Sequence, residues 1–326
     1  MATTSVMGGD VRRREDPALI KGRGVYVDDL SPTGLLHIAF NRSPVAHAKI
    51  NSVDASAARD MPGVVAVFTH DDVAELGPLV AQVPIGKLRP LLGDGEVKHV
   101  GEAVAMVVAE DRYRAQDAAD AIEVDYDVLP AVIDLKEAKS DARKVHDDLD
   151  SNVLHTWTYH GYWEALGLED QTPQVEEAMK RDDAVVVTLE MTNQRLIPVA
   201  IEPRSVMAEY NDGYQRFTVH SSTQVPHALS GAIATTFGMA ASDVRVIAPE
   251  VGGGFGAKLN VYNDEILAAF AAKKLGRPVK WTETRREAAG ATIHGRGWIG
   301  TATLVGTESG EFLGYKLEAI ADMGAY

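Results

Sequence analysis

The sequence contains no cysteine among its 326 residues. This absence excludes a disulfide framework, and it excludes any metal ion or iron–sulfur cluster held by cysteine thiolates of this chain. A chain without cysteine also suits a reducing compartment, so we expect a cytoplasmic location.

Positive charge is scarce. The chain has 32 lysine and arginine residues against 47 aspartate and glutamate residues, which gives a formal net charge of −15 at pH 7. Because nucleic-acid binding requires a basic surface, we exclude nucleic acid as a partner. The acidic residues are dispersed along the chain, which favours a role in solubility over an acidic docking tail.

Long apolar runs are also missing. The longest ones, such as residues 103–109, are far shorter than the roughly 20 residues that a membrane-spanning helix needs. Residues 1–10 show no basic segment followed by an apolar one, so we expect no secretory signal. The hydrophobic content of 45% is ordinary, and 326 residues are enough for two domains with a core each.

Glycine is concentrated at residues 251–258, with the sequence VGGGFGAK, which we call the glycine loop. Each glycine would cost about 0.5–1 kcal/mol relative to alanine inside a helix or strand, so this segment is predicted to be a loop. A buried strand is predicted before it, at 244–249, and a helix after it, at 263–275. Such a layout presents backbone N–H groups to an anion or a polar cofactor.

Nucleotide-binding motifs fit the glycine loop poorly. The G-x-G-x-x-G fingerprint survives only with Ala257 in its last position and Phe255 inside the tight turn. A Walker A loop is excluded because Lys258 is followed by Leu259 and not by a serine or threonine. Taken alone, the loop could equally be a tight strand-to-helix turn with close packing.

Three further segments complete a pattern with the glycine loop. They are SSTQVPH at 221–227, RREDPALIKGRGVYVDD at 13–29, and VGEAVAMVVAEDRY at 100–113 with its continuation to Pro130. Together these segments resemble the molybdenum hydroxylases, which include xanthine dehydrogenase, aldehyde oxidoreductase and the large subunit of aerobic carbon monoxide dehydrogenase. The likeness extends over nearly the whole chain, in the family's order.

The resemblance implies an α+β (mixed α/β) fold class. A hammerhead-type α/β domain is expected at 16–138, followed by the first part of a molybdopterin-binding domain at 184–326. Residues 1–15 are predicted to form a flexible arm, and the polar stretch 139–183 a linker between two separately packed units. Because the family's large subunits continue well past Tyr326, we expect either a fragment or a large subunit split between two polypeptides.

Periodicity and turn residues predict the individual elements. Strands are expected at 36–40, 64–69, 105–109, 122–126 and 185–191, helices at 111–121, 174–180 and 228–239, and a hairpin at 298–305 and 312–320.

Gln224 is the first candidate site residue. In the family that it resembles, the glutamine of this segment hydrogen-bonds an oxygen ligand on molybdenum. A side-chain amide suits that role because it donates without titrating. On the residues alone, Gln224 could instead cap the helix that is predicted to begin near Pro226.

The glycine loop supplies the other candidate cofactor-binding residues. The resemblance places Phe255 and Gly256 beside the same edge of the metal group, with Gly253 and Gly254 completing the set. No residue is assigned as a direct metal ligand. On the residues alone, Phe255 could be a plug in the hydrophobic core.

Three weaker candidates remain. Lys258 could attract a phosphate or close the loop, and Glu202–Arg204 resembles a family segment near the active-site entrance, although a surface turn is equally compatible with it. Purine-oxidising members carry a glutamate near the position of Leu259, so an apolar residue there disfavours xanthine.

The implied reaction is R–H + H₂O → R–OH + 2e⁻ + 2H⁺, at an aldehyde, an N-heterocycle or carbon monoxide, with water as the oxygen source. The implied cofactor is molybdenum–molybdopterin in its cytosine dinucleotide form. Iron–sulfur and FAD groups are expected on partner subunits, namely a 2Fe-2S subunit and an FAD subunit.

No catalytic residue is assigned within this sequence, because the family's glutamate base lies in a region beyond Tyr326. We therefore expect the chain to be inactive without the C-terminal half of the large subunit and its other partners. The alternative is that this chain is a non-catalytic scaffold or assembly half of a split large subunit.

Overall fold

The computed structural model of the chain describes residues 12–80, 87–158, 166–167, 169 and 171–326. Residues 1–11, most of the predicted arm, lie outside this set. The strands are β1 Leu36–Arg42, β2 Ala48–Asp54, β3 Val64–Phe68, β4 Glu96–Val97, β5 Ala103–Ala109, β6 Glu123–Val128, β7 Ala184–Leu196, β8 Ser205–Asn211, β9 Arg216–Ser221, β10 Val244–Ile247, β11 Val279–Thr282, β12 Gly295–Thr307 and β13 Phe312–Ala321. The α-helices are α1 Asp16–Leu19, α2 Ser56–Arg59, α3 His70–Val73, α4 Arg112–Asp120, α5 Leu135–Lys139, α6 Thr172–Ala178, α7 Pro226–Thr236, α8 Asn263–Leu275 and α9 Arg285–Gly290.

A seven-stranded sheet joins the two halves of the sequence. Its strand order is β10-β9-β8-β11-β1-β5-β3, and β1 pairs in parallel with β11, with Leu36 opposite Val279. One hydrophobic core contains Phe40 from the first half and Ile266 and Trp281 from the second. The two stretches therefore do not pack as separate units, which differs from the expectation, because neighbouring strands of one sheet come from both.

Strand β5 is buried along its whole length, from Ala103 to Ala109. Met106 faces the shared core, while Ala105 and Val107 contact a second cluster that includes Ala115 of α4. Packing on both faces of the sheet explains why this strand is a continuous apolar run and does not alternate between apolar and polar residues.

Helix α8 is the central element behind the glycine loop. Nine of its 13 residues are buried, because it packs against the sheet strand β8 and also contacts α7. It ends at Gly276, whose φ of 63° is the left-handed conformation typical of a helix C-terminus. The glycine loop is therefore attached to a helix that is fixed inside the core.

Two smaller sheets complete the structure, with strand orders β4-β2-β6 and β13-β12-β7. The predicted hairpin of β12 and β13 is present. Within the predicted linker, α6 packs on β13, with Val175 against Gly314, and the His146 ring contacts the Ala325 carbonyl at 2.6 Å. No helix in the described ranges is long and apolar enough to cross a membrane.

Candidate cofactor site

The segment Ser221–Gln224, which we call the glutamine segment, connects β9 to the start of α7. Helix α7 begins after Val225, and no side chain forms a hydrogen bond that caps it. Gln224 therefore does not cap this helix, and its side chain is exposed. An exposed amide next to a helix that it does not cap is available to a ligand.

The glycine loop connects β10 to α8 and turns through the left-handed region three times. The φ angles are 102° at Gly253, 52° at Phe255 and 85° at Gly256. A non-glycine residue in this conformation costs about 1–3 kcal/mol, so Phe255 is a strained position. Its side chain is 76% exposed, which excludes the core plug.

The structure brings the glutamine segment and the glycine loop together. The Gln224 backbone N–H donates to the Lys258 carbonyl at 2.8 Å. The Gln224 side chain lies against Gly254, since a Cβ atom added there would be 2.4 Å from Gln224 Oε1. Only glycine allows this approach without moving the amide.

Four successive N–H groups of the glycine loop have no hydrogen-bond acceptor within the part of the chain that the structure describes. They belong to Gly253, Gly254, Phe255 and Gly256. The next amide, that of Ala257, donates to the Gly254 carbonyl at 2.9 Å. Because backbone N–H groups require an acceptor, this row is open to the oxygen atoms of a ligand.

Glu202 and Lys258 fix the ends of the loop. Glu202 Oε2 accepts from the Gly252 N–H at 2.7 Å and from Lys258 Nζ at 2.9 Å, and the Glu202 N–H donates to the Gly252 carbonyl at 3.1 Å. Lys258 is only 2% exposed, and burial lowers its pKa although Glu202 opposes this shift. Lys258 therefore closes the loop, and its ammonium group is already paired with Glu202.

Arg204 belongs to the weak candidate segment Glu202–Arg204, but the sequence did not reveal its ionic partners. The segment Glu202–Arg204 is not a surface turn, since Arg204 is 6% exposed and its Nη1 donates to Asp264 Oδ2 at 2.6 Å. Arg42 of β1 contacts the other oxygen of Asp264 at 2.9 Å. Burial alone would raise the pKa of Asp264, but the two arginines outweigh it and lower the pKa to about 2.

Glu265, which the sequence did not reveal, also lies in the first turn of α8. Its carboxyl group accepts from Ser221 Oγ at 2.6 Å and from the Tyr262 N–H at 3.0 Å. Burial raises its pKa to about 7. Neither Asp264 nor Glu265 belongs to a local sequence motif. Their side-chain partners are Ser221, Arg204 and Arg42, which lie 44 or more residues away in the sequence.

Comparison with known families identifies the family of the chain. The model of the molybdopterin cofactor-binding domain matches residues 145–326, more than half of the chain. The chain belongs to the molybdenum hydroxylase family. The a/b hammerhead domain of aldehyde oxidase and xanthine dehydrogenase matches residues 21–130. The predicted fold class, a hammerhead-type domain followed by part of a molybdopterin-binding domain, is confirmed.

Individual family members give the same result. The carbon monoxide dehydrogenase large chain of Hydrogenophaga pseudoflava is 34% identical over 317 residues, covering 96% of this chain and 39% of that protein. The nicotine 6-hydroxylase large subunit of Paenarthrobacter nicotinovorans is 34% identical over 331 residues, covering 99% of this chain and 39% of that protein. The crystal structure of quinoline 2-oxidoreductase from Pseudomonas putida 86 matches with a TM-score of 0.88 at 34% identity, covering 98% of this chain and 40% of that chain. The chain thus spans about two fifths of the length of these relatives.

The residues present fit the family's molybdenum–molybdopterin cofactor. Such a group is rich in oxygen atoms, and the site offers donors in the form of four free N–H groups and the Gln224 amide. The glycines leave no Cβ between the backbone and a ligand, and Gly256 has open space at the Cβ position. Fixed donors of this kind stabilise negative charge without having to reorganise.

Proposed function

We propose that this chain forms part of the molybdenum-cofactor-binding large subunit of a hydroxylase that oxidises a carbon centre. The observation that carries the proposal is the row of four free N–H groups beside the Gln224 side chain. In this proposal Gln224, Gly253, Gly254, Phe255 and Gly256 bind the cofactor, which takes the cytosine dinucleotide form.

Each part of the chain has its own task at the site. The bound cofactor supplies two-electron oxidation of a carbon centre with water as the oxygen source. The Gln224 amide and the loop N–H groups donate hydrogen bonds and orient the group, and neither titrates near neutral pH. Glu202 and Lys258 keep the loop in its strained shape.

The proposed substrate is an aldehyde, an N-heterocycle or carbon monoxide. The relatives described above act on carbon monoxide, nicotine and quinoline, and two of these are N-heterocycles. Near the glycine loop, Phe255 and Leu259 both expose apolar side chains. An apolar surface there disfavours a purine, which needs polar contacts, and supports a less polar substrate.

Electrons would leave through partner subunits. The sequence has no cysteine, so a 2Fe-2S cluster with thiolate ligands must be on another chain. We propose a 2Fe-2S subunit and an FAD subunit as the partners that accept the two electrons. A cytoplasmic location remains our prediction for this complex.

An exposed apolar sheet face supports a further partner, the C-terminal half of the large subunit. Across β7, β12 and β13 the residues Val187, Leu304 and Tyr315 are direct neighbours, and Leu189 and Leu317 extend the same face. Val187 and Leu189 are 56% and 58% exposed. Contiguous apolar surface of this kind marks a docking site.

The alternative function is a non-catalytic scaffold half. The exposed apolar face favours it, since a scaffold also needs a docking surface. The two functions differ in what Gln224 does, because a scaffold would not need the Gln224 amide for turnover.

The test uses the complex that copurifies with the chain. Dye reduction is measured with an aldehyde, quinoline and carbon monoxide in H₂¹⁸O, for the wild type and for Gln224→Ala. We expect turnover of at least one substrate, ¹⁸O in its product, and a large loss of turnover in the variant. Equal turnover in the two proteins would support the scaffold, and a wild-type complex without molybdenum would contradict the proposed function.

A further inference from the structure

Glu265 is a buried carboxyl group without an ionic partner. It is 6% exposed, and no lysine, arginine or histidine of the described residues pairs with it. Burying an acid is costly unless hydrogen bonds compensate for the loss of water. Here both oxygens are used, since Ser221 Oγ donates to Oε1 and the Tyr262 N–H donates to Oε2.

These two hydrogen bonds lead to the two segments of the candidate site. Ser221 is the first residue of the glutamine segment, so Oε1 fixes where that segment begins. Oε2 holds the backbone of Tyr262, whose hydroxyl donates to the Ala257 carbonyl in the glycine loop at 2.5 Å. One carboxyl group is thus connected to both segments.

A small cavity lies between the segments and is lined by Thr223, Lys258, Tyr262 and Glu265, among others. Beyond this cavity the segments meet through the Gln224 N–H and the Lys258 carbonyl. The segments are therefore not packed against each other throughout, and the hydrogen bonds that lead to Glu265 hold them on the side of α8.

We infer that Glu265 is a positioning residue that holds the glutamine segment and the glycine loop at a fixed separation. It thereby sets the Gln224 amide relative to the four free N–H groups. The inference rests on the proposed function, because this separation matters for catalysis only if the two segments bind the cofactor.

The charges around Glu265 give the inference a measurable pH dependence. Burial raises the pKa of its carboxyl group to about 7, and the charged groups that face it are Arg204 and Asp264, with Tyr262 as a titratable neighbour. Arg204 is already paired with Asp264 and Glu283. The raised pKa means that the buried arrangement favours the protonated carboxyl group, whereas opening of the segments lets water reach the carboxylate, so the segments should be held less firmly above pH 7 than below it.

Hydrogen exchange of the copurified complex tests this inference. We compare the wild type with Glu265→Gln, Glu265→Ala and the control Glu287→Ala, because Glu287 occupies the equivalent position in the first turn of α9, where it accepts from the Thr284 N–H at 2.8 Å. Exchange at 221–224 and 256–259 should rise at least tenfold in Glu265→Ala and stay within twofold in the control. After correction for intrinsic rates, wild-type protection should decrease from pH 6 to pH 8, and Glu265→Gln should show no such decrease.

Several results would overturn the inference. Exchange in Glu265→Ala within twofold of the wild type would do so, and so would an equal effect of Glu287→Ala, since Glu265 would then merely stabilise a helix. If Glu265→Ala does not accumulate, Ser221→Ala removes one of the two hydrogen bonds and should release 221–224 in the same way. The proposed function is judged separately by the molybdenum content of the wild type, which exchange does not measure.

Discussion

At the scale of single residues, Gly254 is a point where the glycine loop approaches the Gln224 side chain closely. The Gln224 side chain occupies the space that any Cβ at position 254 would need. The neighbouring glycines have a different task, since Gly253 and Gly256 adopt positive φ angles. Gly254 is therefore required for the close contact with Gln224, and Gly253 and Gly256 are required for the positive φ angles of the loop.

Gly254→Ala should displace the Gln224 amide and lower turnover of the complex by at least tenfold, because the new Cβ would lie 2.4 Å from Gln224 Oε1. The matched control is Gly231→Ala in α7, where a Cβ meets nothing within 4 Å. Steady-state dye reduction measures the effect. Equal activity of the two variants would show that Gln224 has no role in turnover.

Gln224→Ala should lower turnover more than it lowers molybdenum content. The amide orients a bound group and does not ligate the metal, and such outer contacts typically contribute 10- to 100-fold. Turnover and molybdenum per chain are measured on the same preparation. A parallel loss of both would contradict the orienting role.

At the scale of elements, the ion pair of Glu202 and Lys258 connects the start of the glycine loop to its end. Lys258→Met should leave Glu202 partly buried without its partner, at a cost of roughly 3 kcal/mol. The thermal transition of the complex should shift down accordingly. Glu202→Gln with Lys258→Met should recover part of this loss, and a double variant less stable than either single one would contradict the pairing.

The first turn of α8 contains two acids with opposite pH behaviour. The folded pKa of Asp264, about 2, is below its usual 3.8, so Asp264 stabilises the fold above pH 4 and loses that contribution as the pH falls through 2. The folded pKa of Glu265, about 7, is above its usual 4.5, so its burial destabilises the fold progressively as the pH rises from 4.5 to 7.

Glu265→Gln should therefore remove a decline in stability between pH 5 and pH 7, worth about 3 kcal/mol at most. Denaturation of the complex at a series of pH values measures the slope. An unchanged slope in the variant would show that Glu265 does not titrate in this range.

At the scale of the whole molecule, local patterns predicted the elements but not how they assemble. The sequence predicted the continuous apolar run of β5 and the helix α4, and it predicted the strand, loop and helix around the glycine loop. The pairing of Leu36 with Val279 could not be predicted from the sequence, because a parallel contact between residues about 240 positions apart leaves no periodic pattern in the sequence. For the same reason the sequence did not predict the Arg204–Asp264 pair, whereas Gln224 was proposed from a segment that resembles the family.

The exposed apolar face of β7, β12 and β13 is the feature of the whole molecule that supports the proposed C-terminal partner. Replacing Val187 and Leu189 with serine should weaken copurification of the C-terminal half and leave the rest of the fold intact, since both side chains are more than half exposed. Pull-down yield measures this. The control Val186→Ser lies on the opposite face of β7 and should retain the partner.

The most direct test of the account is the molybdenum and pterin content per chain, measured on the chain purified alone and on the copurified complex. The free N–H groups of the glycine loop and the Gln224 amide supply only part of the contacts that a large cofactor needs, so we predict close to one molybdenum and one pterin per chain in the complex, and neither in the chain alone. A monomer of residues 1–326 with stoichiometric molybdenum and substrate-dependent dye reduction would contradict it, as would a complex that contains no molybdenum.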